Sequence, residues 1–423
     1  MPIGFILIIG LLFCSPMTQA TQNENQNSTN NQESPAVIFE NVWQEAKKIV
    51  YPLAREQQFF TEATYQHLKK QSQQVSDVYQ LAPVLNQFLS SLDVSHTAFY
   101  HDRDVEFYLF RSMFKSRQIN EPKVHHIGVQ FVNGVKDYIV REVLDGYPAS
   151  QAGLRRGDII RLADGQAFHP VMSFQGHNGN KPVNLAVERN GKLMTSRVVP
   201  VYDNPSYAFF QAMKQSKKIL EFAGKRVGYI HLWTGIHPQI LNEFKQTIEQ
   251  EFKGLDGIIL DLRGGFGGAW YDYLDPFFGS REDYFRFTVI DKQGDRNTQD
   301  PPQQPNVNAF AGPMVVLINE GVRSGKESLA YQFKKSARAT LVGTTTQGAF
   351  TAGRGVFNEQ QNYFLFIASA ELLLDNTQVE GVGIAPDIPV AYPTDQSLGF
   401  DPQLIRAKQL MTEMLNEKSP ANQ

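Results

Sequence analysis

The chain has 423 residues, of which 20% are charged, and its 40 Lys and Arg against 43 Asp and Glu give a formal net charge of -3. This length predicts about two to four domains. The near balance of charge argues against a general nucleic-acid-binding protein, which usually carries a basic excess. The single Cys excludes an intramolecular disulfide and any cysteine-rich zinc or iron–sulfur site. The 30 Phe and 16 Tyr exceed what a disordered chain carries, so most of the chain is expected to fold.

The N-terminus has the features of an export leader. The apolar run Ile3–Cys14 is too short to cross a hydrocarbon core of ~30 Å as a helix, but it suits the apolar region of a signal peptide. We predict a signal peptide over residues 1–20 with cleavage near Ala20, then a disordered polar linker over residues 21–37. No Lys or Arg precedes the run, so an uncleaved anchor and no export stay open. The expected location is periplasmic or secreted, with membrane association left open and no membrane span after cleavage.

Four regions follow the linker. Apolar residues at helical spacing over 38–118 predict a helical bundle, and alternation with tight turns over 120–202 predicts a small β domain. Residues 203–395 alternate strand and helix signals, which predicts a βαβ core with a mainly parallel sheet, and residues 396–423 predict a C-terminal helix and tail. The fold class is therefore multidomain α/β. The strands expected in the core are, in chain order, 227–232, 257–262, 314–318 and 339–342, with a helix from about 326 to 335.

Two loops in the core carry the chemistry, because active sites of parallel sheets usually lie at the carboxyl ends of the strands. The first loop, Asp261–Gly268, has four glycines in five residues after a buried strand. A phosphate-binding loop would require a Lys that this loop lacks. Backbone N–H groups aimed at a developing oxyanion fit the loop better, with a plain glycine-rich turn as the alternative.

The second loop, Asn319–Glu327, joins a buried strand to a helix. Ser324 in this tight turn would expose its hydroxyl beside a helix N-terminus, which suits a nucleophile. The alternative is that Ser324 only caps the helix, with Glu327 completing a capping box. Nearby, we expect Lys326 to be a solvated charge at the start of the helix, and Arg263 to form a structural pair with Glu327.

Residues 120–202 also contain a longer motif. The segment Pro148–Ile160, with its Ala-Gly-Leu-x-x-Gly-Asp-x-Ile run, and the upstream Ile127-Gly128-Val129 are similar to a PDZ domain. The resemblance implies that backbone N–H groups of the loop formed by Ile127, Gly128 and Val129 hold a peptide C-terminus beside a strand edge. The alternative is an unrelated β domain that only packs.

Taken together, these parts resemble the C-terminal processing (tail-specific) peptidase family of serine peptidases over about residues 38–392. The matching pieces are the helical bundle, the PDZ segment, Leu260-Asp261-Leu262-Arg263-x-x-x-Gly-Gly, Asn319-x-Gly-x-x-Ser324-x-x-Glu327, Thr340-Leu341-Val342-Gly343 and Gly381-Val382-Gly383-Ile384-Ala385-Pro386-Asp387. The resemblance implies that Ser324 is the acylating nucleophile. It also implies an oxyanion hole formed by backbone N–H groups of Gly267 or Gly268 and of Gly325.

One departure from the family affects the catalytic base. Many members activate the Ser with a Lys after the Val-Gly loop, but that position is Ala349 here. The tricorn-like branch instead carries a Ser-His pair at the end of the helical part, which matches Ser95 and His96. The resemblance then implies a tetrad of Ser324, His96, Ser95 and Glu380, with Glu371 as the alternative carboxylate.

The function expected from the sequence is an exported serine endopeptidase acting on protein or peptide substrates. Because the Lys is missing, a catalytically inactive peptide-binding protein on the same scaffold stays open as an alternative. The tricorn-like branch also includes retinoid-binding proteins, so a binder of small apolar ligands is a further alternative. We expect no metal, since the His residues lack ligand spacing, and the sequence indicates no cofactor and no nucleic-acid partner. It does not predict the oligomeric state.

Overall fold

The computed structural model describes residues 33–115, 118–132, 137–222, 224–305, 308–358 and 363–417. The predicted leader over residues 1–20 and most of the predicted linker lie outside the described residues. Within the described ranges, no helix combines the length and the hydropathy that crossing a membrane requires.

The described residues form helices and strands that follow one another both singly and in runs. The helices are α1 Pro35–Ile49, α2 Leu53–Phe59, α3 Glu62–Ser72, α4 Val78–Ser91, α5 Val105–Phe114, α6 Pro148–Gln151, α7 Pro205–Ser216, α8 Pro238–Gln246, α9 Asp275–Phe278, α10 Gly325–Lys335 and α11 Pro402–Glu417. The strands are β1 Ala98–His101, β2 Val124–His126, β3 Val129–Phe131, β4 Tyr138–Val143, β5 Ile159–Ala163, β6 Gln166–Ala167, β7 Val183–Arg189, β8 Lys192–Val198, β9 Val201–Asp203, β10 Lys218–Phe222, β11 Lys225–His231, β12 Gly257–Asp261, β13 Phe287–Ile290, β14 Arg296–Gln299, β15 Met314–Ile318, β16 Thr340–Gly343, β17 Thr351–Asn358, β18 Tyr363–Leu374, β19 Thr377–Gln378 and β20 Ile388–Pro389.

The chain folds into two compact units, and the first contains its described residues up to Phe110 together with 287–299 and 349–381. Side chains at helical spacing on α1 are buried against α3 and α4, as the periodicity predicts. These helices share one core with an antiparallel sheet of strand order β1-β18-β13-β14, to which β17 and β19 add by pairing with β18. The sequence predicts the helices but not this sheet.

The second unit contains the described residues of 111–286, 300–348 and 382–423. Its main sheet has the order β10-β11-β12-β15-β16-β20. β10 pairs antiparallel with β11 and the other neighbours pair parallel, so the predicted mainly parallel sheet is confirmed. Every residue of β12 and β15 is buried, as in a sheet covered on both faces. Because β12 and β15 are parallel neighbours, the loops that follow them leave from the same edge of the sheet.

The second unit also contains a smaller antiparallel sheet of order β3-β4-β5-β7-β8, with β6 paired to β5. Its core is closed by side chains that alternate along the strands, including the fully buried Val140, Leu185 and Val187. These antiparallel strands account for the alternation that predicts a small β domain over residues 120–202.

Candidate active site

Ser324 occupies the turn between β15 and α10. It is the N-cap residue of α10, and its backbone has φ 53° and ψ −135°. A positive φ is uncommon for a non-glycine residue and marks a turn that the surrounding structure enforces. A strand, a sharp turn and a helix are the arrangement that presents a nucleophilic hydroxyl at the end of a parallel sheet.

The glycine-rich loop after β12 lies directly against this turn. A Cβ added at Gly267 would be 2.5 Å from Ser324 Cβ and 3.0 Å from Ser324 Oγ, so only glycine fits there. Within the described part of the chain, the backbone N–H groups of Gly267 and Gly268 make no hydrogen bond. Gly325 is the first residue of α10, where the N–H groups have no partner inside the helix. The second unit therefore brings together the hydroxyl and the donors that an oxyanion hole requires.

The buried side chain of Glu327 stabilises the Ser324 turn by hydrogen bonds. Its buried carboxylate accepts from Ser324 N at 3.0 Å, from Thr346 Oγ1 at 2.6 Å and from Gly348 N at 2.7 Å. The bond to Ser324 N is the Glu half of the predicted capping box. The predicted pair between Arg263 and Glu327 is wrong, because the carboxylates that Arg263 pairs with are Asp261 and Asp401.

Arg263 instead pairs with Asp261, the last residue of β12. The carboxylate of Asp261 accepts from Arg263 Nη2 at 2.6 Å and from Tyr229 Oη at 2.9 Å, and both members of the ion pair are buried. Arg263 also contacts Asp401 at 2.8 Å. Burial by itself would raise the pKa of Asp261, but the Arg263 charge outweighs it and holds that pKa well below its usual range. This pair fixes the start of the glycine-rich loop.

Lys326 is buried, and the prediction of a solvated charge is wrong. Its Nζ lies 3.3 Å from Leu232 O, 3.1 Å from Trp233 O, 3.0 Å from Leu262 O and 2.5 Å from Gly264 O. These carbonyl groups belong to the segment after β11 and to the glycine-rich loop. One ammonium group two residues after Ser324 therefore joins both segments.

The burial of Lys326 should make the free energy of unfolding depend on pH. Burial lowers the pKa of its ammonium group to about 7 from its usual 10.5. Between these values the unfolded chain binds the proton more strongly than the folded protein, so the free energy of unfolding should rise with pH above 7 and be flat below it. The expected slope is at most about 1.4 kcal/mol per pH unit. Urea unfolding across this range should show the rise in the wild type and in Lys192→Met, an exposed control on β8, but not in Lys326→Met. The same slope in Lys326→Met would contradict this assignment.

Three of the predicted site residues meet in the first unit. Ser95 Oγ lies 2.8 Å from His96 Nδ1 and donates to Glu380 Oε2 at 2.8 Å. Glu380 also accepts from Ser95 N at 2.8 Å and from Phe350 N at 2.6 Å. The His96 ring is buried and packs edge-on against Phe366.

These contacts determine the tautomer of His96. A serine hydroxyl has one proton, and Ser95 donates it to the Glu380 carboxylate, which can only accept. Ser95 Oγ is therefore the acceptor toward His96, so Nδ1 carries the proton of the neutral imidazole. Nε2 is then the basic nitrogen of the ring, which is the arrangement of a general base oriented by a hydroxyl and a carboxylate.

Of the two candidate carboxylates, Glu380 is the one beside Ser95. The alternative, Glu371, accepts from Tyr51 Oη at 2.7 Å. Sequence reasoning missed Thr351, whose Oγ1 lies 3.0 Å from Ser95 Oγ and 3.2 Å from His96 Nδ1. A Thr at the start of a strand carries no sequence signal for such a role.

In the smaller sheet, Ile127 is buried in the core and Val129 begins β3. Gly128 between them has φ 75°, and a Cβ there would be 2.4 Å from Tyr147 Cβ. Gly128 N donates to His126 Nδ1 at 3.1 Å. The predicted peptide-binding loop thus requires glycine at its centre.

The adjacent strand β3 touches the glycine-rich loop. The side-chain amide of Gln130 donates to Gly265 O at 3.0 Å and accepts from Gly265 N at 2.6 Å. On β4, Glu142 accepts from Asn319 Nδ2 at 2.7 Å. The two loops that carry Gly267 and Ser324 are therefore each hydrogen-bonded to the smaller sheet.

Two family descriptions match the chain: "Peptidase family S41" over residues 226–390 and "PDZ domain" over residues 126–199. The tricorn protease of Thermoplasma volcanium is 24% identical over 319 residues, which cover 69% of this chain and 29% of the relative. The carboxyl-terminal-processing protease of Synechocystis sp. is 34% identical over 212 residues, 48% of each protein. This chain thus spans about half or less of the length of these relatives. Among solved structures, the photosystem II D1 C-terminal processing protease has a similar fold, with a TM-score of 0.55 at 19% identity over 92% of this chain and 98% of that one.

Proposed function

Since the chain belongs to peptidase family S41 and includes a PDZ domain, we propose that it is a serine endopeptidase that cleaves protein or peptide substrates by acyl transfer through Ser324. The observation that carries the proposal is the approach of Gly267 to Ser324, with the N–H groups of Gly267 and Gly268 making no hydrogen bond within the described residues. A non-catalytic turn has no need for a strained serine beside such donors.

In the proposed reaction, Ser324 Oγ attacks the scissile carbonyl carbon while His96 Nε2 removes the hydroxyl proton. The N–H groups of Gly267 or Gly268 and of Gly325 stabilise the negative oxygen of the tetrahedral intermediate. His96 then returns the proton to the leaving amine, and water hydrolyses the acyl-enzyme by the same steps. Ser95 and Glu380 keep the proton of neutral His96 on Nδ1, so that Nε2 is available as the base. In this proposal His96 takes the role of the Lys that many family members use, since the corresponding position here is Ala349.

Covalent labelling tests the nucleophile. A serine-reactive fluorophosphonate should add to Ser324 in the wild type, as located by mass spectrometry of the digested adduct. Ser324→Ala should not be labelled, and Ser328→Ala should be labelled normally because Ser328 is a buried serine on the same helix that donates only to Gly325 O. Failure of the folded wild type to react would favour the alternative function, a peptide-binding protein that does not cleave.

We further propose that the loop of Ile127, Gly128 and Val129 holds the C-terminal carboxylate of a peptide. Gly128→Ala should weaken binding of a fluorescent peptide with a free C-terminus to Ser324→Ala protein by about tenfold or more, because the added methyl group would displace Tyr147. Gly165→Ala is a matched control, since Gly165 also has a positive φ but no atom within 4 Å of an added Cβ. Equal affinity in both variants would place the peptide elsewhere.

Export is proposed from the leader-like run at Ile3–Cys14 alone. Expression of the full chain in a bacterial host, followed by N-terminal sequencing of the recovered protein, checks it. A mature N-terminus near residue 21 in the periplasm or medium is the expected result. An intact Met1 in the cytoplasm would exclude export.

A further inference from the structure

The second unit contains a cavity of about 310 Å³ that the proposed reaction does not use. It lies between β4 and β10, with Trp233 and Arg263 at one side and α11 at another. Neither Ser324 nor the loop of Ile127, Gly128 and Val129 contributes to its lining. Leu154, Leu220 and Leu404 supply part of its apolar wall.

Positive charge dominates the cavity. Six Lys and Arg residues line it against three carboxylates, Glu142, Asp145 and Asp401. Glu142 is 3.1 Å from Arg156, and Asp401 is 2.8 Å from Arg263, so two carboxylates are already paired. The remaining cations have no carboxylate within ion-pairing distance among the residues that the structure describes; they are Arg141, Arg155, Lys218 and Lys408.

The third carboxylate, Asp145, has no Lys or Arg within ion-pairing distance among the described residues. Asp145 lies 3.8 Å from His231. Burial raises the pKa of Asp145, and the charge of His231 only partly reverses that effect. The cavity therefore has four cations without an ion partner among the described residues, against one carboxylate that lies beside His231.

Two buried N–H donors of the lining have no acceptor within the described residues: Arg141 Nε and Trp233 Nε1. The Trp233 N–H faces the Asp145 carboxyl group and lowers its pKa as a donor does, although no acceptor among the described residues meets the distance and angle of a full hydrogen bond. Arg141 is on β4, and burial lowers the pKa of its guanidinium group. A buried donor without an acceptor costs free energy that a bound acceptor would restore.

We propose that this cavity is a binding site for a carboxylate carried by a small organic body, held by the Arg141 guanidinium and the Trp233 N–H. An arginine fork matches the two oxygens of a carboxylate, and the nearby cations favour an anion. The volume corresponds to roughly ten water molecules at about 30 Å³ each, which exceeds a bare carboxylate and leaves room for the carbon skeleton of a dicarboxylic acid or a short peptide end. The apolar wall suits that skeleton.

Calorimetric titration of the full chain carrying Ser324→Ala tests the site without catalysis, so its outcome is independent of the proposed peptidase activity. The probes are succinate, trialanine with a free C-terminus, and trialanine amide. Binding of succinate would assign the site to free organic acids, and binding of only the free-acid peptide would assign it to chain ends. In either case Arg141→Met and Trp233→Phe should weaken the binding by about tenfold or more, because each removes a donor to a charged group.

The variants are chosen to separate binding from folding. Arg141→Met removes a buried charge that lacks an ion partner, so its midpoint of thermal unfolding without ligand should equal or exceed that of the wild type. Arg197→Met, on the exposed face of β8, should bind as the wild type does. The proposal is overturned if neither acid binds at millimolar concentration, or if a folded Arg141→Met or Trp233→Phe protein binds the acid as tightly as the control.

Discussion

Replacing His96 with Ala is expected to lower kcat for peptide hydrolysis by about 10³–10⁴-fold while leaving KM nearly unchanged. The reason is that a general base acts in the transition state, so its loss reduces the rate rather than ground-state binding. The geometry of the first unit supports this role, since the hydrogen bonds of Ser95 and Glu380 place the His96 proton on Nδ1. Steady-state kinetics on a fluorogenic peptide with a free C-terminus would measure both constants.

Two further variants make this result specific. Ser95→Ala keeps the imidazole but removes its orienting hydroxyl, so kcat should fall by only about 10–100-fold. His67→Ala, at an exposed position on α3, should behave as the wild type. If His96→Ala retained most of the wild-type kcat, His96 would not be the base, and the buried Lys326 would become the candidate to test.

Replacing Asp261 with Asn is expected to destabilise the second unit by about 3–5 kcal/mol. The substitution leaves the buried Arg263 without its main counter-ion, and breaking a buried pair costs far more than losing an exposed one. Urea unfolding followed by tryptophan fluorescence should show the shift. Because Arg263 leads directly into the glycine-rich loop, Asp261→Asn should also lower peptidase activity.

An exposed ion pair supplies the control, and the pH dependence of stability supplies a second test. Asp300→Asn breaks the exposed pair with Arg286 and should change stability by less than about 1 kcal/mol. The pKa of Asp261 is held below its usual 3.8, so its carboxylate stabilises the fold above that pH and loses its contribution as the pH falls further. Asp261→Asn should lack this acid-dependent loss. An equal effect of the two substitutions at neutral pH would rule out a structural role for the buried pair.

The sequence predicts the main sheet and the neighbouring positions of its two loops well, since continuous apolar strands such as β12 and β15 indicate a buried parallel sheet. Parallel pairing alone then places the Gly267 loop beside Ser324. The strands of the first unit were harder to predict. β13 and β14 lie in a segment with several prolines that looks like an insertion. The pairing of β13 with β18 depends on residues more than 70 positions away, and β14 joins the sheet only through β13.

The wrong predictions concern two charged side chains, Lys326 and Arg263, whose partners lie wholly or partly in other segments of the chain. Lys326 at the start of a helix is typical of a solvated residue, yet its acceptors are carbonyl groups near residues 232 and 264. Arg263 finds Asp261 two residues away and Asp401 far along the chain rather than Glu327. Spacing along one element does not reveal such convergence. The choice between Glu371 and Glu380 also required the structure.

The two hydrogen bonds between Gln130 and Gly265 have a thermodynamic consequence. They hold the peptide groups on both sides of Gly265, so rotating either group would release β3 from the loop. A ligand at Ser324 that favours one orientation of this contact then changes the affinity of the smaller sheet for peptide. Linkage requires that the peptide change the affinity for the Ser324 ligand by the same factor. An inhibitor bonded to Ser324 should therefore change the affinity of the PDZ domain for peptide, and Gln130→Ala should uncouple the two.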